Sequence, residues 1–528
     1  MSFTRLALAG CAALALGTTA VMAETPADTL VIADKIDDIV SIDPAESFEF
    51  SGNDMLNNVY DTLVELDPAD LGPLVPGLAE SWSVSDDGKT YTFKMRDGVK
   101  FHSGNPVTAE DAAWSLQRAV KLNKTPSFIL TQFGFTPENV DEVITADGDT
   151  LTITVDKPYA PSFFYSALTA VVASVVDKQV AMEHEKDGDF GYEWLKSNTA
   201  GSGAYSLRAW KPNENYVLEA NDDYWRGAPA MKRVFVRHVP EPATQRLLLE
   251  RGDIDVARKL TPVDIAGVQG NPDININDEL RGRIMYVALN QTREPLNDPK
   301  VIEAIKLLID YDGMAESFLK GNYVVHQAFL PKGFLGAIDD KPYSLDVEKA
   351  KALLKEAGAE DLEIQIFVRN DQDRLEMAQS FQNTLGQAGV KAEIRTGTGK
   401  EILGEYRSRN HDIYLGAWGP DYSDPHTNAD TFAKNPDNSP EAQLTGVLAW
   451  RNAYPATKET PMTNAAVLER DTEKRRAMYE EIQRIHQMNS PFAPMFQLIE
   501  QVASRNNVEG FNAGGSIHSV FYWPVTKK

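Results

Sequence analysis

Between Leu362 and Trp418 the chain reads Leu362-Glu363-Ile364-Gln365-Ile366-Phe367-Val368, then a helical stretch Arg374–Gln387, then Val390–Thr396, a second helical stretch Glu401–Arg409, and finally Asp412–Trp418. Leu362–Val368 alternates as a strand, Val390–Thr396 and Asp412–Trp418 read as strands again, and the two intervening segments read as helices. Strand–helix–strand–helix–strand implies parallel strands joined by right-handed crossovers, so this region predicts an α/β fold. In such sheets ligands bind just beyond the carboxyl ends of the strands. Trp418-Gly419-Pro420-Asp421-Tyr422 stands at one of those ends, and Arg369 and Arg374 flank the loop at another.

Outward from this core the pattern changes. Asp346 opens a helix with Ala350, Leu353, Leu354 and Ala357 on one face, stopped by Gly358. Thr29–Ala33 reads as a first strand. Thr90–Arg96 and Leu151–Val155 alternate between Asp-Gly turn signals and read as strands of hairpins, and Thr108-Ala109-Glu110-Asp111 predicts a capped helix start. Met285–Asn290 and Ala493–Val502, apolar and far apart in sequence, are the candidates for strands crossing between domains.

The chain has 528 residues, 77 Asp+Glu against 52 Lys+Arg, and a formal net charge of −25. That charge argues against nucleic-acid and anionic-membrane binding, and the length favours two or three structural units. It is also a soft hint toward a cationic ligand. The apolar run Leu6–Val21 after Arg5, followed by Val21-Met22-Ala23, predicts a secretory leader cleaved after Ala23 and a periplasmic location. The single cysteine, Cys11, leaves with it. Leu8-Ala9-Gly10-Cys11 also resembles a lipobox, but the stretch before Cys11 is short for one, so a free secreted protein is the expectation.

Catalytic patterns fail one by one. The eight histidines form no HExxH and no i,i+4 helical pair, so no metal site is expected. Gly514-Gly515-Ser516 lacks the GxSxG elbow and reads as a small-residue turn. Gly397-Thr398-Gly399-Lys400 is out of register for a phosphate loop, with Ile394 and Glu401 at the decisive positions, and reads as a turn after a strand. Asp86-Asp87 and Asp339-Asp340 sit beside turn signals rather than converging in a cleft. No enzyme and no cofactor is expected; a secreted hydrolase would need a triad, a metal cluster or an acid pair.

Pro76-Gly77-Leu78-Ala79-Glu80-Ser81-Trp82, Asp86-Asp87-Gly88-Lys89-Thr90-Tyr91-Thr92-Phe93, Arg96-Asp97-Gly98-Val99-Lys100-Phe101-His102 and Thr108-Ala109-Glu110-Asp111 form one continuous signature. Asn221-Asp222-Asp223-Tyr224-Trp225, Leu289-Asn290, Glu348-Lys349-Ala350 and the Trp418–Pro425 run extend it. Together they resemble the family 5 extracellular solute-binding proteins, the dipeptide, oligopeptide and nickel-binding class of bacterial ABC importers. Gly201-Ser202-Gly203-Ala204-Tyr205 departs from the family's usual Gly-Thr-Gly-Pro-Tyr. The resemblance implies a two-lobed periplasmic-binding-protein fold with a hinge between discontinuous lobes. Lobe I would be residues 24–283 plus 494–528, with a hairpin-rich subdomain at about 70–200, and lobe II residues 284–493.

It also implies a monomer that captures a peptide or small amine-bearing molecule and delivers it to permease subunits in the inner membrane, with opines, betaines, metal chelates, haem or sugars as the alternative ligands. By resemblance Asp421 holds a ligand ammonium, Trp418 lies against the ligand and Gly419 allows close backbone approach, with Tyr422 flanking. A turn is the plain alternative for Asp421. Arg369 and Arg374, or Arg407 and Arg409, are candidates for a ligand carboxylate, although a solvated helix face accounts better for the latter pair. Phe48, Glu49 and Phe50 follow the first strand where lobe I loops face the cleft, and His426 is read as a turn residue.

Overall fold

The computed structural model describes residues 24–67, 74–515 and 519–528. The predicted leader, Cys11, Ser516 and His518 lie outside the described residues. An eleven-stranded mixed sheet runs through the molecule in the order Lys391–Gly397, Glu363–Arg369, Ile413–Trp418, Ile274–Leu289, Phe492–Arg505, Val256–Ala257, Thr29–Asp34, Arg233–His238, Asn215–Ala220 and Tyr205–Lys211, with Tyr323–Val325 added alongside Phe492–Arg505. The predicted strand–helix alternation is present: Glu363–Arg369 pairs in parallel with Lys391–Gly397 on one side and with Ile413–Trp418 on the other. The helices Gln372–Gln387 and Gly399–Arg407 connect them. Thr398 opens the second helix through a capping box with Glu401, so the phosphate-loop look-alike is a helix cap.

Two antiparallel strands, Ile274–Leu289 and Phe492–Arg505, join the two ends of this sheet. Both are longer than the sequence predicts. The first half of the former, Ile274–Arg283, is largely polar, because one face of it lies toward solvent. Their register breaks between Leu280 and Ile284, where the strand bulges and bends. Beyond the break, Ile284 pairs with Trp418 and Leu289 with Ile413. Arg283 is therefore placed one residue beyond the strand end that carries Trp418.

A separate four-stranded sheet, Ala79–Val84, Thr90–Met95, Thr150–Thr154 and Ile144–Asp147, forms the hairpin-rich unit. The expected alternation holds: Tyr91 pairs with Ile153 and Phe93 with Leu151, all four side chains fully buried. Helix Ala109–Leu122, started by the Thr108–Asp111 capping box, covers the inner face. Phe133, Phe163 and Phe164 pack there with ring centroids 4.8–4.9 Å apart. Each such ring contributes about 1.5–3 kcal/mol by leaving water.

This unit also touches the distant 420–475 stretch. Tyr422 and Val467 belong to its core, the Ser166 hydroxyl donates to the Ser423 carbonyl at 3.1 Å, and the Ala160 N–H donates to the Val467 carbonyl at 2.9 Å.

A charge network occupies the bulge. The Arg258 guanidinium meets Asp54 at 2.5 Å, Glu500 at 3.1 Å and Asp34 at 3.3 Å, and Arg281 meets Glu500 at 3.4 Å. Burial opposes ionisation of Glu500, yet Lys259, Arg258 and Arg281 outweigh it and hold its carboxyl far below the usual range.

Candidate ligand cavity

The carboxyl ends of Glu363–Arg369 and Ile413–Trp418 open on a cavity of about 380 Å³. Its size lies near the lower end of the ~300–1,000 Å³ usual for small-molecule sites. From the C-terminal half come Trp418, Gly419, Pro420 and Asp421 in the loop after the strand, Arg369 at the end of the neighbouring strand, and Arg374 in the first turn of the helix that follows. Leu403 and Arg407 reach in from successive turns of one helix, the i,i+4 spacing that puts both on one face. The opposite wall is built by Phe48 and by Phe50, Asn53 and Asn57, which share a face of helix Phe50–Val59.

Tyr414 and Tyr286, on neighbouring strands with ring centroids 6.0 Å apart, line the floor, and Tyr286 lies opposite Gly416. Gly416 is required there. A Cβ on it would stand 2.1 Å from the Tyr414 ring, so only glycine lets that ring lie along the strand and stack on Tyr406 at 3.8 Å.

Asp421 is half-buried in the cavity wall. Loss of water raises its pKa to about 7, and only a hydrogen bond from Thr427 opposes the shift. Among the described residues no cation, the cavity's arginines included, pairs with it within 4 Å. Those arginines are Arg283, Arg369, Arg374, Arg407 and Arg451. Among the described residues only Arg374 has a carboxylate partner within 4 Å, Asp371 at 3.3 Å. Arg407 is held below its ordinary value by partial burial and by the like charges of Arg451 and Arg369. The Arg369 Nε and Trp418 Nε1 are buried without a hydrogen-bond partner among the described residues. The cavity is thus bipolar, with one carboxylate apart from a group of guanidiniums.

Of the residues singled out in the sequence, Asp421, Trp418, Gly419, Arg369, Arg407 and Phe48 line this space; Tyr422 and Glu49 do not. The chain bends sharply through residues 421–424, where the Asp424 N–H donates back to the Tyr422 carbonyl at 2.9 Å. With Asp421 toward the cavity, Tyr422 turns into the hairpin-rich unit, 5.8 Å from Phe163, and its hydroxyl donates to Gln132 at 3.3 Å. The Glu49 carboxylate accepts from the Phe48 N–H at 3.2 Å beside the helix start. Arg409 bonds Asn438 and covers the Trp450 ring at 3.9 Å, away from the cavity. His426 begins a helix and is buried edge-on against Phe163 at 5.0 Å.

Arg283, Arg451 and the two tyrosines escape the sequence reading. Only the Gly416 gap beside Tyr414 left a local trace. A larger space of about 1450 Å³ adjoins at Phe50 and Arg283, whose guanidinium stands 5.3 Å over the Phe50 ring. It is lined by the charge network of the bulge, whose members already pair with one another, so the smaller cavity is the stronger candidate.

A mixed sheet joined by two crossing strands thus carries, at its strand ends, a cavity lined by one carboxylate and several guanidiniums. Comparison with known proteins gives the family. Residues 73–440 match the bacterial extracellular solute-binding proteins, family 5 Middle, and the chain belongs to that family. Its members work with the permease components of ABC transporters and carry out no chemistry on the ligand.

The chain is 29% identical over 504 residues to the probable D,D-dipeptide-binding periplasmic protein DdpA of Escherichia coli (strain K12), covering 94% of each. It is 29% identical over 387 residues to the dipeptide-binding protein of the same organism, covering 70% of this chain and 71% of the relative. In fold it is similar to the periplasmic binding protein DppA from Helicobacter pylori in complex with peptide STSA. There the TM-score is 0.79 at 24% identity, covering 94% of this chain and 98% of the other. Among the described residues no helix is long and apolar enough to cross a membrane.

Proposed function

We propose that this protein captures a short, amine-bearing solute of di- or tripeptide size in the 380 Å³ cavity and hands it to an ABC permease. The observation that carries the reading is Asp421: a carboxylate on the cavity wall beside Trp418, desolvated enough to raise its pKa to about 7, with no cation paired to it among the described residues. An ammonium group supplies the missing counter-charge, and the guanidiniums apart from it suit the ligand's carboxylate. The relatives named for dipeptides support the peptide-like size.

The lobes of this reading are residues 24–283 plus 494–528, carrying the hairpin-rich subdomain at about 70–200, and residues 284–493. The register break between Leu280 and Ile284 supports a hinge there. A ligand bridging Phe48 and Phe50 on one lobe and Asp421 and Trp418 on the other favours the closed arrangement by its differential contacts. The protein acts as a monomer in the periplasm after removal of residues 1–23.

A thermal-shift screen tests this. Free dipeptides are expected to raise the melting temperature in a saturable way, and the same dipeptides with an acetylated amine are not. Stabilisation by acetylated and free peptides alike, or by neither while sugars or betaines bind, would sink the ammonium reading.

A further inference from the structure

We propose that the cavity selects a compact solute carrying one ammonium group and at least two carboxylates, so that the ligand is net anionic. The proposal rests on the reading that Asp421 receives an ammonium, and it specifies the rest of the ligand. Five guanidiniums face one carboxylate across about 380 Å³, in a chain whose net charge is −25. The whole-chain acidity, taken alone, points to a cationic ligand; the cavity reverses that sign.

Among the described residues, Arg283, Arg369, Arg407 and Arg451 have no carboxylate within 4 Å. Arg451 donates to the Thr445 carbonyl at 2.6 Å and lies 5.1 Å over the Tyr406 ring, so it is fixed by neutral groups. Arg283 is held against the Phe50 ring. Like charges gathered without counter-ions repel, and the arrangement becomes favourable when anions arrive.

A neutral dipeptide brings one carboxylate, which a single guanidinium can bind through two parallel bonds. That leaves the other guanidiniums uncompensated. The cavity of about 380 Å³ matches a short ligand, to which the extra anions are assigned. Two chemistries meet the description: a dipeptide with an acidic side chain, or an amino acid whose nitrogen carries a carboxyalkyl group.

The test is calorimetric titration of the purified protein with Ala-Ala, Ala-Glu, Ala-Lys and N-(carboxymethyl)glutamate. Ala-Glu is expected to bind about tenfold or more tighter than Ala-Ala, and Ala-Lys more weakly than either. The advantage of Ala-Glu should shrink between about 50 mM and about 300 mM salt. Arg407→Gln, on an exposed helix end, should bring the Ala-Glu to Ala-Ala ratio toward one. Arg369→Gln is the independent second variant, and the melting temperature of each ligand-free variant reports that it folds.

Equal affinity for Ala-Ala and Ala-Glu, or a preference for Ala-Lys, overturns this proposal and leaves the ammonium reading standing. Binding of N-(carboxymethyl)glutamate with no dipeptide bound upholds the proposal and discards the peptide reading. Binding of none of the four overturns both.

Discussion

Two groups of arginines lie close together in this molecule and are treated in opposite ways. At the bulge of the crossing strands, Arg258 has three carboxylates within 3.3 Å and Arg281 shares Glu500 with it. In the cavity, which Arg283 of the same strand lines, five guanidiniums have one carboxylate partner among the described residues, on Arg374. Desolvated charges are costly, and a fold tolerates them only when they are paired. The bulge network is neutralised from within the chain, and so it serves the structure. The cavity is left with guanidiniums and an Asp421 that do not pair with one another among the described residues, and so its counter-charges come from outside. The difference distinguishes a strut from a binding site without reference to any relative.

The largest effect should come from breaking the compensated side of this comparison. Glu500→Gln removes the acid shared by Arg258 and Arg281 and is expected to cost about 3–5 kcal/mol of unfolding free energy in urea titrations near pH 7. Because the Glu500 carboxyl is held below its ordinary value, its contribution is present above the unfolded pKa of about 4.3–4.5 and is lost as the pH falls through the folded value. The variant should therefore lose less stability than the parent on acidification. In contrast, Arg407→Gln on the uncompensated side should change ligand-free stability by no more than about 0.5 kcal/mol. Comparable losses from the two substitutions would erase the distinction.

A middle-sized effect is the pH dependence of binding. With Asp421 at about 7 in the free protein, protons compete with the ligand's ammonium below that pH. Affinity for a free-amine dipeptide should fall about tenfold per pH unit below about 7, and fall again above about 8 as the ligand amine deprotonates. Titrations at about pH 5, 6, 7 and 8 check this; a flat profile would detach Asp421 from the ligand. The same raised pKa means that Asp421 costs the empty protein stability as the pH climbs from about 4 toward about 7, so Asp421→Asn should make the ligand-free protein more stable at the upper end of that range.

The smallest effect separates neighbours. Tyr422→Phe removes one hydroxyl bonded to Gln132 and should cost about 0.5–1.5 kcal/mol of stability with little change in ligand affinity. A large affinity loss would return Tyr422 to the cavity.

Much of this arrangement is legible in the sequence, and the illegible parts have physical causes. The strands and helices from residue 363 to 418 are legible because their apolar periodicity is unbroken, and Asp421 because a strand end and a turn coincide there. The crossing strand was half hidden, since Ile274–Arg283 keeps its polar face outward and does not alternate cleanly. Tyr422 lies off the cavity although it is adjacent to Asp421 in sequence, because the chain bends there and the ring packs into the hairpin-rich unit. The arginine group was invisible for another reason. Its members sit on different elements from Arg283 to Arg451, each is unremarked among 52 basic residues, and only the sheet register and the turn after Trp418 bring them to one cavity.

The central claim is that Asp421 supplies the cavity's one anion to a ligand ammonium. Its most direct test is calorimetric titration of the parent and of Asp421→Asn with the same free-amine dipeptide at about pH 7.5, where the carboxylate is mostly ionised. Removing one partner of a desolvated ion pair costs about 3–5 kcal/mol, so the account predicts affinity lower by a factor of roughly a hundred to a few thousand, in a variant that melts no lower than its parent. Unchanged affinity in a folded Asp421→Asn variant would contradict it.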